Sequence, residues 1–573
     1  MKRLYLIFFL IFMSLSVFSN PLARLYQVDN PVFQAIEELS IEVGVVPFTA
    51  SGPVSGYELY EQLVKISHKS QSDYIKNKTE TAKQLILNPF NDKTWDFSIQ
   101  ANLEAYLNVD SSAEFYDWVN HYNSRLPLVN AEVETIFGDS GYAVFAYGLK
   151  KSFNTDDFNQ FSNNTPFGKG SGGFEDSYPN TALLSISGKW FSLIAGRDAV
   201  KFGRGETGNL MLSDHVPYHD FFAINLFNKK VRYTLMAIPM NELISQSILD
   251  NIFPGDSNKP KYQKLLGTSK IPNEYIKDEA PWFTLYHGSY KRTYITHRLE
   301  IELFDWWRLA VTEGTMFYLD SNDIRMFNPL MFNHNLQSFG EVNNSIGLET
   351  EIAISPNWAL DFQIFLDQWQ TKQEQNAYDD IPPNAYAFLL NARYLYSLNN
   401  WKFKGFIESV YTSPFVYMRA GDSTANYGDG DPKKEYNLDF VHAVSRADRY
   451  SGVNWLGYPY GPDTIVIAKD FTGQYKDLFS LSTNLRFIIQ GERGLKIHNK
   501  EQEVILYGQG DNINPITPSG NSPGYTFVVG LGGSFKVPKA NLSFNVQNYL
   551  INKWQSNKYV FDNQLTLSIS YKL

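Results

Sequence analysis

Residues 95 to 108 alternate between apolar and polar side chains without a break. Every odd position from Trp95 to Leu107 is apolar, and the even positions from Asp96 to Asn108 carry polar groups. Because successive side chains of a β-strand point to opposite faces, a strand here has one apolar and one polar face. Its fourteen residues exceed the usual strand of a soluble sheet and suit a tilted strand that crosses a bilayer.

The same alternation returns at residues 295–303, 359–366, 402–411, 542–550 and 564–573. A barrel strand keeps one face towards lipid and the other towards the lumen, which agrees with the negative mean hydropathy of -0.30. We therefore predict an all-β fold, a large transmembrane antiparallel β-barrel. Between roughly 14 and 20 strands fit the pattern, and about 18 is the predicted number.

The beginning of the chain is typical of an exported protein. Charged residues at Lys2 and Arg3 precede an apolar run from Leu4 to Val17, and Ser19 offers a small residue for cleavage. A signal peptide over residues 1–19 is predicted, since the run is short for a membrane-anchoring helix. No later segment approaches the length of a spanning helix, so a polytopic helical membrane protein is excluded. We expect the mature chain in the outer membrane of a Gram-negative-type (diderm) bacterium.

Three helices are predicted before the first strand. Asn30 can cap a helix that Gly44 ends, Ser55 and Glu58 form a capping box for a second, and a third covers about residues 70–87. The predicted organisation is a signal peptide (1–19), a helical periplasmic module (20–90) that lies beneath or partly inside the barrel, and the barrel itself (95–573).

Connection lengths supply a test of the topology, because outer-membrane barrels alternate long outside loops with short periplasmic turns. Short turns are predicted at residues 138–141, 187–188 and 537–541. Long outside loops are predicted at residues 109–130, 152–180, 250–282, 320–345, 370–386, 417–470 and 508–524, and residues 552–562 are predicted to lie outside.

Composition excludes several function classes. The 573 residues contain no cysteine, which removes disulfides, thiolate metal sites and thiol nucleophiles. The net charge of -10 disfavours nucleic-acid binding. Aromatic residues make up 16% of the chain, enough for membrane-interface girdles and for platforms that stack on sugars.

Three short patterns contain residues of the kind found in ligand sites. Residues 203–208 fit the dinucleotide pattern GxGxxG, but no helix follows to hold a pyrophosphate, so the glycines are interpreted as a tight backbone path. His215 and His219 have metal-ligand spacing, but Pro217 between them disfavours a regular helix. Residues 429–431 (Asp-Gly-Asp) could hold calcium or form a solvated turn. The prediction is that the protein has no metal and no cofactor.

Polar strand faces carry many carboxylates, but no local pattern selects an acid and a base or activates a serine. We therefore predict that the protein is not an enzyme. A monomer is expected, because a barrel closes its own edges.

Two segments are the most distinctive in the chain. The first is residues 196–205 (Gly-Arg-Asp-Ala-Val-Lys-Phe-Gly-Arg-Gly), continuing through Leu210, Leu212, Ser213 and Pro217, and the second is residues 454–463 (Asn-Trp-Leu-Gly-Tyr-Pro-Tyr-Gly-Pro-Asp). Together with His297-Arg298-Leu299, Phe327-Asn328-Pro329-Leu330 and Pro53-Val54-Ser55, these segments resemble the capsule-assembly Wzi family of outer-membrane proteins. The resemblance runs over essentially all of the mature chain, and Phe202 stands where that family commonly has Trp.

The resemblance implies a plugged, 18-stranded barrel that binds and anchors surface polysaccharide, capsule or a related glycan, as a non-catalytic lectin. The hypothesis is that the two segments meet near the outer mouth and form the glycan site, with aromatic faces for pyranose rings and cations for an acidic glycan. The candidate residues are Arg197, Asp198, Lys201, Arg204, Trp455, Tyr458, Tyr460 and Asp463. The competing interpretation is that these residues pack the lumen and stabilise loops. The competing function is a pore or channel for small solutes.

Overall fold

The computed structural model describes residues 19–573 with internal gaps. The residues outside the description are 71, 110–118, 120–125, 152–173, 177–179, 217, 241–290, 320–323, 329–331, 334–340, 370, 374–382, 419, 422–435, 447–448, 477, 493–515 and 557. The predicted signal peptide and the possible calcium turn at 429–431 lie outside the described residues.

Eighteen antiparallel strands form the barrel wall. They are β1 (Trp95–Asn108), β2 (Val129–Phe137), β3 (Gly141–Lys151), β4 (Thr181–Gly188), β5 (Phe191–Asp198), β6 (His219–Phe227), β7 (Val231–Met240), β8 (Lys291–Phe304), β9 (Trp307–Leu319), β10 (Glu341–Ser355), β11 (Trp358–Gln368), β12 (Ala385–Leu398), β13 (Trp401–Thr412), β14 (Thr464–Tyr475), β15 (Phe479–Gln490), β16 (Gly524–Val537), β17 (Leu542–Gln555) and β18 (Lys558–Lys572).

The wall closes on itself. Strand β18 pairs with β1 from Gln564–Asn108 to Lys572–Gln100, and every other strand pairs with its neighbours in sequence. A three-residue segment, Phe174–Asp176, extends the pairing of β4 along β3. The predicted all-β transmembrane barrel and its 18 strands are confirmed.

The two rims differ as predicted over most of the wall. Short turns join β2 to β3, β4 to β5 and β16 to β17, and the connections at the opposite rim are mostly long. Two loop predictions differ from the structure. Residues 552–562 lie at the long-loop rim as predicted, but most of them are strand: β17 continues to Gln555, Ser556 follows with a left-handed φ of 47°, and β18 begins at Lys558. The long loop predicted to end at 470 ends where β14 begins at Thr464, six residues earlier.

The outer surface has the chemistry of a lipid-facing wall. Leucine, isoleucine and phenylalanine side chains alternate outward along the strands and remain exposed. Near the short turns five exposed side chains are tryptophans: Trp95, Trp190, Trp306, Trp358 and Trp401. Amphipathic aromatic rings at one level of the wall are typical of a membrane–water interface.

Three helices precede the barrel: α1 (Pro31–Val43), α2 (Gly56–Lys69) and α3 (Asp73–Leu87). Asn30 caps α1 and Gly44 ends it in the left-handed conformation, while Ser55 and Glu58 form the capping box of α2. These local predictions are confirmed. None of the helices in the described part of the chain is long and apolar enough to cross a membrane.

The helical segment lies against the short-turn rim and reaches into the lumen. The Val46 N–H donates to the Asp305 carbonyl at 2.8 Å, the Asn357 N–H donates to the Ile41 carbonyl at 2.8 Å, and Lys402 pairs with Glu38 at 2.8 Å. The chain then enters the barrel, where Ser51–Gly52 pairs with Lys201–Phe202 of the connection between β5 and β6.

Candidate functional site

The described residues of two long connections pack together inside the barrel. We call residues 199–218, between β5 and β6, the first inward connection, and residues 413–463, between β13 and β14, the second inward connection; both names refer to their described residues, which exclude 217, 419, 422–435 and 447–448. They join in one apolar cluster that includes Phe202, Leu210, Leu212, Leu456 and Tyr458. Where these connections meet the wall, the lumen is packed like a protein core.

The inward faces of β7 to β12, which we call the sealed side, carry a buried network of ion pairs. Arg232 bonds Glu58 of α2 at 2.8 Å and Glu300 at 3.3 Å. Arg308 bonds Glu349 at 3.1 Å and Glu351 at 2.7 Å.

The network continues on both sides. Arg298 bonds Glu349 at 2.9 Å, and Arg393 bonds Glu351 at 2.6 Å and Asp361 at 2.9 Å. Buried charges add little net stability, but removing one partner is costly, so such a network fixes how the helical segment seats on the wall.

Arg204 of the first inward connection completes this network. Its guanidinium bonds the Thr49 carbonyl, pairs with Glu37 of α1 and lies 3.8 Å from Glu351. Burial lowers the pKa of Arg204 to about 10, although Glu351 opposes the shift. The predicted glycan-binding cation is thus enclosed between the helical segment and the wall.

Arg197 and Asp198 end strand β5 on opposite faces of the wall. Arg197 makes two 2.7 Å bonds to Asp220 and lies 4.1 Å above the ring of Tyr218. Asp198 points inward, is buried, and accepts a bond from the Thr181 hydroxyl at 3.2 Å. Lys201 lies 3.7 Å from Asp214. Carboxylates thus compensate the cations predicted for an acidic glycan.

Aromatic residues of the second inward connection hold it against the first. The Tyr417 hydroxyl donates to the Leu210 carbonyl at 2.7 Å, and Thr207 and Tyr458 share a 2.8 Å hydroxyl bond. Trp455 is only 6% exposed and packs against Tyr417 with ring centroids 6.0 Å apart. Burial raises the pKa of Tyr458 well above its ordinary value, so this hydroxyl stays neutral.

Asp463 fixes a neighbouring loop. Its carboxylate accepts the Ser519 N–H at 2.9 Å and the Ser519 hydroxyl at 2.5 Å, and the residue is fully buried. Its φ of 56° is a conformation that aspartate tolerates better than most residues.

The two predicted segments therefore meet, but largely as packing. Arg197, Lys201 and Tyr460 keep partial exposure, while Asp198, Arg204, Trp455, Tyr458 and Asp463 are buried. A ligand role for the three partly exposed residues stays a prediction. For the five buried residues, the interpretation as lumen packing fits the contacts.

Glycines allow the two inward connections to approach each other closely, as the interpretation of the GxGxxG segment as a tight backbone path predicts. Gly208 has a φ of 139°, and a β-carbon there would clash with Pro459 of the second inward connection. The N–H groups of Glu206 and Thr207 donate to the Glu408 carboxylate at 2.7 and 3.0 Å. The GxGxxG segment is thus a turn bound by the protein's own carboxylate.

Two histidines lie where the barrel wall contacts the second inward connection. His219 begins β6 and is buried against His442 of the second inward connection, with ring centroids 4.8 Å apart. Within the described ranges, no group of three or more histidines, aspartates or glutamates could hold a metal ion.

One lumenal surface was missed by sequence reasoning. The inward faces of β14 to β17, which we call the open side, carry amides and hydroxyls that remain partly exposed to solvent. They are Thr472, Gln474, Ser480, Ser482, Asn484, Ser534, Ser543, Asn545, Gln547 and Tyr549. The alternation in residues 542–550 contains part of this surface, but alternation does not reveal which polar faces are left uncovered.

Comparisons with known proteins show the fold. No family model matches the sequence, and no curated protein matches it. The structure is similar to that of Wzi, described as an outer-membrane protein involved in group 1 capsule assembly in Escherichia coli and a carbohydrate-binding β-barrel. The TM-score is 0.54 at 12% identity, over 95% of this chain and 98% of that one.

Two further solved structures cover 84% of this chain. The outer membrane protein OprD from Pseudomonas aeruginosa has a TM-score of 0.37 at 9% identity and is covered over 94% of its length. OmpT of Vibrio cholerae has a TM-score of 0.31 at 10% identity and is covered over 97%. The fold conclusion rests on the closed 18-stranded wall and the likeness to Wzi, which give this chain the architecture of an outer-membrane barrel.

Proposed function

We propose that this protein is an outer-membrane anchor that binds polysaccharide at the cell surface, lectin-like and without catalysis. It is exported with its signal peptide and acts as a monomer. The observation that carries the proposal is the filled lumen. A barrel whose interior is occupied by its own chain is a rigid platform for long connections, whereas a pore needs a continuous aqueous path.

In the part of the chain that the structure describes, wall residues on both sides of the lumen are covered by other parts of the protein. The sealed side is covered by the helical segment and the inward connections. On the open side, a layer of apolar residues lies between the polar surface and the long-loop rim: Val466, Ile488, Val528 and Ile551, all buried. The likeness to a carbohydrate-binding barrel supports the glycan as ligand class.

The residues expected to contact glycan are the partly exposed Arg197, at the long-loop end of β5, and the partly exposed Tyr460. Tyr460 packs beside Tyr458 with ring centroids 5.8 Å apart, and an aromatic face with polar neighbours suits a pyranose ring. Because Asp220 compensates Arg197, the rim favours a ligand of modest charge.

A channel for small solutes is the second candidate, favoured by the solvent-exposed polar surface of the open side. Two measurements separate the candidates. Deleting the gene should release surface polysaccharide into the medium, and the purified protein should give no steady current in a planar bilayer. A large steady current together with unchanged polysaccharide retention would contradict the anchor function and support the channel function.

A further inference from the structure

The open side forms a vestibule at the short-turn end of the lumen. Its polar residues lie on the halves of β14 to β17 that approach the short turns, from Asp470 to Gln474 on β14 and from Ser543 to Tyr549 on β17. Contacts of the helical segment fall on β2 and β4, on β7 to β13 and their turns, and on the first inward connection. The buried apolar residues of these strands lie between the polar surface and the long-loop rim, with Arg486 beside Val528 among them.

Cross-strand pairing makes this polar surface continuous. Thr472 faces Ser482, which faces Gly532, which faces Gln547. One row closer to the turns, Gln474, Ser480, Ser534 and Asn545 follow the same order.

These side chains are amides and hydroxyls, each of which can both donate and accept hydrogen bonds. The same bonding capacity is what a sugar's hydroxyl groups require.

The vestibule also offers an aromatic face and unused bonding capacity. Tyr549 lies directly beside Gly530, where a β-carbon would come within 2.8 Å of its ring. The ring is therefore held flat along the wall, with partial exposure to the lumen. Among the described residues, the buried Arg486 Nε and Asn484 Oδ1 have no hydrogen-bond partner. Buried polar atoms of this kind are normally satisfied by a partner.

Charge distinguishes this surface from the sealed side. Asp470 accepts a bond from Asn484 at 2.5 Å, and Arg486 hydrogen-bonds Tyr460. One acidic and one basic side chain thus lie at the edge of the open side that is farther from the short turns. The rows nearer the turns are uncharged from β14 to β17 apart from Lys536 at the rim. The surface is thus suited to a neutral ligand.

We propose that the vestibule is a second glycan site, which binds a neutral, hydroxyl-rich oligosaccharide entering from the short-turn end. The inference rests on the proposed function for its ligand class. Sugar hydroxyls bond the amide rows, and a pyranose ring stacks on Tyr549. The same chemistry is offered by the inner end of the surface polysaccharide and by a glycan of the periplasm.

Adjacent glycines on β16 provide a matched test. Gly532 faces the vestibule and Gly533 faces outward, where a β-carbon has only ordinary contacts from 3.6 Å. In the detergent-solubilised full chain, Gly532→Leu should fill the vestibule and weaken the binding of maltoheptaose or chitohexaose. Gly533→Leu should bind as the unmodified protein does.

A second variant guards against a misfolded Gly532→Leu. Asn545→Ala with Gln547→Ala removes two amides without adding volume, and should weaken binding about tenfold or more, as expected from two lost hydrogen bonds. Equal binding by this double variant and by Gly533→Leu, or no binding of either oligosaccharide to the unmodified protein, would overturn the inference.

Whole cells distinguish the two sources of glycan. If Gly532→Leu also releases surface polysaccharide, the vestibule holds the inner end of that polymer, and if retention is unchanged, it holds a periplasmic glycan. Failure of the anchor itself gives a different result, because deletion of the gene would then leave retention unchanged while the purified protein still binds oligosaccharide.

Discussion

The two sides of the lumen are built from the same strand geometry but do different work. On the sealed side, arginines and glutamates of β7 to β12 are buried and joined in a network of ion pairs that reaches the helical segment. On the open side, β14 to β17 present amides and hydroxyls that remain wet. Charge is used where the wall must hold its own chain in one position, and uncharged polar groups are used where water has access.

The largest expected effect is on the sealed side. Glu300 accepts bonds from Arg232, Arg298 and Arg308 at 3.2 to 3.3 Å and from the Ala50 N–H at 3.0 Å. Glu300→Gln leaves three buried guanidiniums around a neutral amide and should cost about 3 to 5 kcal/mol of unfolding free energy. Urea titration followed by tryptophan fluorescence measures the loss.

Lys69→Ala is the control for that change. Lys69 pairs with Asp305 at 3.3 Å where both side chains are about half exposed. Its loss should change stability by less than about 0.5 kcal/mol. If the two variants lose the same amount, the network does not seat the helical segment.

Low pH should weaken the contact between the barrel wall and the second inward connection. Burial, with Arg292 and Arg197 acting in the same direction and Asp220 opposing, lowers the pKa of His442 to about 4. The ordinary value is about 6.5. The folded state therefore favours the neutral His442 ring. The stability that this preference contributes is fully present above the pKa of His442 in the unfolded chain, and it is lost as the pH falls towards the pKa in the folded protein.

The loss between pH 7 and pH 4 should be roughly 2 to 3 kcal/mol from this residue. His442→Phe keeps an aromatic ring against His219 and should flatten that part of the pH dependence, measured by thermal unfolding across the range. An unchanged pH profile would show that His442 does not titrate in this window.

Gly208 tests the contact between the inward connections. Gly208→Ala places a β-carbon against Pro459 at a φ of 139° and should cost about 1 to 3 kcal/mol. Gly138→Ala is the matched control, because its φ is 58° and nothing lies within 4 Å of the added carbon. Only the left-handed backbone cost of about 1 kcal/mol then remains. Equal losses would mean that the two connections can separate freely.

The smallest effect is expected on the open side. Asn545 is partly exposed to solvent, so Asn545→Ala should change the unfolding free energy by less than about 0.5 kcal/mol. A loss comparable to that of Glu300→Gln would erase the contrast between the sides.

Local patterns predicted much of this architecture. Strict alternation identified β1 and the segments within β8, β11, β13 and β17, and capping residues placed α1 and α2, because these signals act over a few residues. The turn near Ser556 was missed because a polar run resembles a loop whether or not the strands continue through it.

The site was less predictable for a different reason. Glu58 and Arg232 are 174 positions apart, and Thr207 and Tyr458 are 251 apart. No local pattern encodes such contacts. The meeting of the two segments followed from the family resemblance, but the burial of Trp455 and Arg204 depends on how the inward connections fold together.

The absence of cysteine from the sequence permits the most direct test of the two-sided lumen. Single substitutions Ser482→Cys and Asn545→Cys on the open side, and Thr234→Cys and Asn391→Cys on the sealed side, can be compared by their rates of reaction with a charged maleimide. We expect the two open-side cysteines to react fast, but in whole cells only after the outer membrane is permeabilised. The two sealed-side cysteines should be protected. Equal rates on both sides, or labelling of Asn545→Cys in intact cells, would contradict the account.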